Sequence, residues 1–212
     1  MYSKEPHFIQ QHQKELPPDL IKPMDWVNRY METPISKAAG EYLNREAFYL
    51  EAPKGKLLLK EGQRFPYLLA IIKGVVRSFV HEDHTEITVW FAAENYLVTD
   101  PQTLFENSPS SFNIQCLEDC NFIGIHKDKL DKWNLNYEDS NLAGRRLLQH
   151  LFELEREHTL LARLSQARNR YAKFLELMPQ LENRIPQKYI ASYLNMTTET
   201  LSRLKSAVRE EQ

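Results

Sequence analysis

The stretch Thr197-Thr198-Glu199-Thr200-Leu201-Ser202-Arg203-Leu204-Lys205 holds the side chains best placed to do chemistry. Leu201, Leu204 and Val208 recur at helical spacing and predict a buried stripe. Thr197 fits the N-cap of that helix, because its hydroxyl can accept an otherwise orphaned backbone N–H. Thr198, Glu199, Ser202, Arg203 and Lys205 are then expected to face outward. On such a face an arginine can donate two hydrogen bonds to guanine O6 and N7, and a glutamate can accept one from cytosine N4. Glu199 lies four residues before Arg203 and can orient its guanidinium. Thr198, Glu199, Ser202 and Arg203 are the predicted base-contacting residues.

A reading helix needs a second helix to hold it. Upstream, Pro186 suits a first helical turn, and Tyr189, Ile190, Ala191 and Leu194 supply a core-facing side. Ala191 is small enough for two helices to cross closely. Leu194-Asn195-Met196 makes the turn, with Asn195 able to take a left-handed conformation. Gln187 and Lys188 at the start of the first helix, with Thr197 and Lys205, are predicted phosphate contacts. Spacing alone leaves DNA reading and ordinary helical packing both open.

Other chemistries have less to stand on. Cys116 and Cys120 are the only cysteines, too few for a disulfide framework or a zinc site, and are expected as buried thiols. No metal and no catalytic residues are predicted. Glu86 and Glu94 could pair as acids, but no base, nucleophile or metal ligand accompanies them, so no enzyme is expected. The net charge of −2 is uninformative until it is divided. From Gln166 onward eight cations face five carboxylates, so that segment is +3 and the rest −5. This fits a DNA-binding end on an acidic body.

The remaining elements follow from patterning. Residues 1–32 are rich in proline and glutamine and read as an irregular arm. Thr33-Pro34 is expected to cap and begin a helix reaching about Leu43. Eight short β-prone runs follow: 48–51, 57–60, 67–72, 75–81, 85–91, 96–99, 112–116 and 122–126, with Gly55, Gly62 and Gly74 at joints. They predict a small antiparallel roll, giving a domain over 33–138. A long helix over 139–165 carries Leu147, Leu151, Leu154, His158 and Leu161 as a heptad seam, widened by Leu148, Phe152, Leu160 and Leu164. This seam is the predicted homodimer interface. A helix over about 166–178 and the helix-turn-helix complete a domain over 166–212. The fold class is α+β. Residues 1–19 lack the apolar core of a signal peptide, and no run approaches a membrane span, so a cytoplasmic protein without membrane contact is expected.

Ile190-Ala191 through Thr197–Leu204 resembles the helix-turn-helix signature of the Crp/Fnr family. Lys54-Gly55, Glu61-Gly62 and Ile71-Ile72-Lys73-Gly74 are similar to the glycine framework of that family's cyclic-nucleotide-binding roll. The resemblance covers about Ala47 to the end, with the parts in the family's order. It implies a homodimer on the long helix, double-stranded DNA and RNA polymerase as partners, and base reading at Thr198, Glu199 and Arg203.

Two departures qualify it. Nucleotide-binding relatives carry a Gly-Glu pair and then an Arg-Ser or Arg-Thr pair, where the arginine neutralises the cyclic phosphate. Here Val98-Thr99 and Ser110-Ser111 stand in those places, and no arginine lies between Arg77 and Arg145. A buried anion without a cation is costly, so cyclic AMP is not expected as the effector, no cofactor is predicted, and the effector is unknown. The family also adds a two-stranded wing after the reading helix, whereas this sequence ends at Gln212, so a wingless member is expected. The alternative is a ligand- or protein-interaction module whose helix-turn-helix is degenerate.

Overall fold

The computed structural model describes residues 5–29, 31 and 34–210, with side chains up to 207. The chain falls into two compact units, 1–76 with 92–151, and 77–91 with 152–212. These cut across the expected boundaries, because 77–91 groups with the C-terminal helices. Among the described residues no helix is long and apolar enough to cross a membrane.

Each of the eight β-prone runs forms a strand: β1 (Phe48–Ala52), β2 (Leu57–Leu59), β3 (Tyr67–Lys73), β4 (Val76–Glu82), β5 (Thr85–Ala92), β6 (Leu97–Val98), β7 (Asn113–Cys116) and β8 (Cys120–His126). In the first unit, β1, β8, β3 and β6 make an antiparallel sheet in that order. Its register pairs Phe48 with Gly124, Leu69 with Gly124 and Leu69 with Val98. Gly124 must lack a side chain, since a Cβ there would come within 2.4 Å of the Phe48 ring and 2.6 Å of Leu69. β2 pairs with β7 antiparallel. Gly74 turns the chain between β3 and β4 at φ +104, a conformation open to glycine.

The expectation of an irregular arm is corrected over 5–29. Helix α1 (His7–His12) buries Ile9, and α2 (Pro23–Asn28) buries Trp26. Between them Lys14 exchanges two 2.8 Å backbone hydrogen bonds with Tyr49 of β1. Thr33 lies outside the described residues. Pro34 does not begin the next helix, a second correction. Helix α3 (Lys37–Glu46) starts three residues later because the Ser36 hydroxyl accepts from the Ala39 amide and caps it. A helix absent from the sequence reading, α4 (Pro101–Glu106), follows β6. Helix α5 (Lys127–Asn136) sets Trp133 against α3, where its indole N–H donates to the Ala39 carbonyl at 3.1 Å. Ile35, Tyr42, Leu43, Ile125 and Ala143 pack in the same cluster. Truncating a buried tryptophan of this kind costs about 3–5 kcal/mol.

The long helix α6 spans Asp139–Arg163. In the second unit it is followed by α7 (Ala167–Leu177), a 3-10 turn over Pro179–Leu181, α8 (Gln187–Tyr193) and α9 (Thr198–Glu210). Leu161, Tyr171, Phe174, Leu181, Ile190, Leu194 and Leu201 are all buried there. Residues 77–91, most of β4 and β5, form the remaining part of this unit.

Candidate nucleic-acid interface

α8 and α9 are two helices joined by a short turn, where the sequence predicts a helix-turn-helix. Ile190 and Ala191 are buried on α8, while Gln187 and Lys188 are exposed at its start. The turn closes through Leu194 N–H to the Ile190 carbonyl at 2.9 Å and Met196 N–H to the Ala191 carbonyl at 3.0 Å. Asn195 takes φ +48, the left-handed state expected of it. The exposed Thr197 caps α9, its hydroxyl accepting from the Thr200 amide at 3.2 Å.

Leu201 at the centre of α9 is buried, and this fixes which residues face away. Thr198, Glu199, Ser202, Arg203 and Ser206 are all exposed, at spacings that share one helical face. The Glu199 carboxylate is held below its ordinary range, first by its own backbone amide, then by the Thr197 and Thr198 hydroxyls, with a smaller attraction to Arg203. It therefore stays an ionised acceptor near neutral pH.

Lys205 does not face outward, which corrects its expected role at phosphate. It is 8% exposed, with Nζ 3.4 Å from both the carboxylate and the backbone carbonyl of Glu182. Four residues after Leu201, it falls on the buried side of the helix. The Val208 side chain lies outside the described residues.

Arg170 of α7 holds the turn, a role that periodicity did not reveal. Its guanidinium donates to the carbonyls of Leu164 at 2.7 Å, Ser165 at 3.0 Å, Leu194 at 2.6 Å and Asn195 at 3.1 Å. The ends of α6 and α8 leave such carbonyls without helical partners, and a cation there also suits the helix dipole. Five fixed donors on one planar group can serve both ends at once.

On α6, Leu147, Leu151, Leu154 and His158 are half-buried within their own chain. Leu161 is fully buried there, so it cannot meet a partner, a correction to the predicted seam. Burial lowers the His158 pKa, against smaller opposing effects of Glu155 and Glu157. The large apolar residues left exposed on α6 are the flanking Phe152 at 75%, Leu148 at 53% and Leu160 at 50%, with Leu142 at 38% near its start.

In the ligand cassette, Val98 is buried in β6, and the Thr99 hydroxyl donates to the Tyr67 carbonyl at 3.0 Å. The buried Ser110 hydroxyl accepts from the Phe112 amide at 3.0 Å, while Ser111 is exposed. α4 sits between these pairs, capped by the buried Asp100 and opened by Pro101, a cap-plus-proline signal that could have revealed it. Residues 98–111 contain no lysine or arginine. The carboxylate in this segment that is buried, Asp100, is engaged as the cap of α4. Among the described residues no cluster of three or more metal ligands occurs.

Residues 49–134 match the cyclic nucleotide-binding domain family. No curated protein matches the chain by sequence. Similar solved structures include FixK2 from Bradyrhizobium japonicum, at 20% identity over 78% of this chain and 85% of that one, with a TM-score of 0.66. A CooA variant from Carboxydothermus hydrogenoformans shares 17% identity over 91% and 86%, with a TM-score of 0.62. The c-di-GMP-responsive global regulator CLP from Xanthomonas campestris shares 14% over 83% and 93%, with a TM-score of 0.61. The shared architecture is an antiparallel cyclic-nucleotide-binding-type roll followed by helices.

Proposed function

We propose that this chain is a sequence-specific DNA-binding transcription regulator of the Crp/Fnr type, acting as a homodimer and not controlled by cyclic AMP. The observation that carries the reading is the Thr197-capped α9, whose Thr198, Glu199, Ser202 and Arg203 share one exposed face beside the exposed Gln187 and Lys188 of α8. The likeness in fold to a protein described as a global regulator supports it. The exposed Leu148, Phe152 and Leu160 offer a second copy an apolar helix face. Two copies would present two reading helices to half-sites about 34 Å apart. The cation-free cassette argues against a cyclic phosphate as effector. RNA polymerase is the further partner this function requires, in the cytoplasm.

Selection of bound sites from random duplex DNA tests the proposal. A pseudo-palindromic site, bound in a salt-sensitive way and lost as a preference in Arg203→Ala, is the expected result. Equal binding to every duplex, or none at any salt, overturns it and favours a ligand- or protein-interaction module.

A further inference from the structure

One side of α8 packs against 77–91. Arg77 of β4 is 1% exposed. Its guanidinium lies 3.7 Å from the centre of the Tyr189 ring and 4.1 Å from that of Phe79, and it is paired with Glu86 of β5. A cation placed over desolvated rings is attracted more strongly than one in water. One turn along α8, the Ser192 hydroxyl accepts from the Thr88 amide at 2.9 Å and donates to the Glu86 carbonyl at 3.3 Å. Tyr193 completes the row, its ring 5.3 Å from Phe91. Tyr189, Ser192 and Tyr193 stand at i, i+3 and i+4 and so share one side of the helix. Gln187 and Lys188 precede this row and remain exposed.

We propose that 77–91 is a clamp setting the orientation of the DNA-reading helix pair, with Arg77 as its positioning residue. The clamp grips α8, and α9 follows because the turn joining them is pinned by Arg170. Arg77 touches no nucleic acid in this scheme. It acts through Tyr189, and charge and ring together make the contact. The inference rests on the DNA-binding reading above.

Two measurements on the full-length protein test it. In Ser192→Ala, hydrogen exchange at the Thr88 amide should quicken at least tenfold while amides in β8 are unchanged. Unchanged exchange at Thr88 overturns the clamp, whatever the protein does with DNA. In Arg77→Met, affinity for the selected site should fall about tenfold, within ordinary coupling between sites, with affinity for random duplex retained. Tyr189→Leu should reproduce the loss and Tyr189→Phe should restore wild-type binding, which a role in folding alone would not predict. Glu86 is 43% exposed, so water can solvate it once Arg77 is gone, and Tyr189→Leu decides the matter if Arg77→Met does not fold. Selected-site affinity unchanged in both variants overturns the positioning role. A wild-type protein that prefers no site overturns the DNA-binding reading itself, and the Thr88 amide still reports separately on the clamp.

Discussion

The Arg170 guanidinium donates to the Leu194 carbonyl at 2.6 Å, joining α7 to the turn between α8 and α9. The same group reaches Leu164 and Ser165 beyond the end of α6. Arg170→Ala leaves four carbonyls to find water or strain, and should lower stability by about 2 kcal/mol, read as a melting-point drop. Arg170→Lys keeps the charge without the planar fork and should recover less than half of that loss. A melting point equal to wild type in Arg170→Ala would remove the guanidinium from the account of the turn.

Lys188 and Lys205 separate surface chemistry from packing. Lys188→Ala should weaken binding to all duplexes and reduce the slope of log affinity against log salt by about one. Lys205→Ala should leave that slope alone and lower thermal stability, since it removes a largely buried ion pair with Glu182. The reverse pattern in salt titrations would show that Lys205 reaches DNA after all.

Phe152 tests the pairing of two copies. It is largely exposed on α6, and Phe152→Glu places a charge where a second apolar face would lie. Sedimentation should show a dimer shifting to monomer in the variant, with specific DNA affinity falling as the two half-sites are uncoupled. A wild-type protein that sediments as a monomer at every concentration contradicts the expected assembly.

His158 gives the pH dependence a sign. Its folded pKa lies below the ordinary value of 6.5, mainly because it is buried. Below that value the unfolded chain binds a proton that the folded chain still refuses. Stability should therefore fall as pH drops through 6.5 and level off only below the folded pKa. Glu155 and Glu157 oppose the shift, and Tyr193 is the ring facing the imidazole, at 6.1 Å. His158→Gln should flatten this part of the profile. Urea titrations from pH 8 to pH 5 that give parallel curves for the two proteins would discount the histidine.

Local signals carried much of this fold, and distant contacts carried what was missed. The eight strands were legible because β-prone runs are separated by turn residues such as Gly74, whose positive φ turns the chain after β3. Asn195 and Thr197 were legible because turn and cap chemistry depend on neighbouring residues alone. α1 and α2 were not, since six-residue helices are marginal by themselves and persist here through the burial of Ile9 and Trp26. Lys205 was misplaced because residue type was weighed above its position four after Leu201. The pairing of Arg77 with Tyr189 brings together residues from opposite halves of the sequence, and no periodicity encodes such a meeting.

The discontinuous make-up of the second unit bears on how it can be dissected. A polypeptide cut after residue 151 would carry every helix of that unit but none of 77–91. Tyr189 would then lose Arg77 and Tyr193 would lose Phe91, exposing aromatic surface that the distant segment covers. Such an excised tail would be prone to self-association, and grafting it onto another protein would require transplanting the distant hairpin as well.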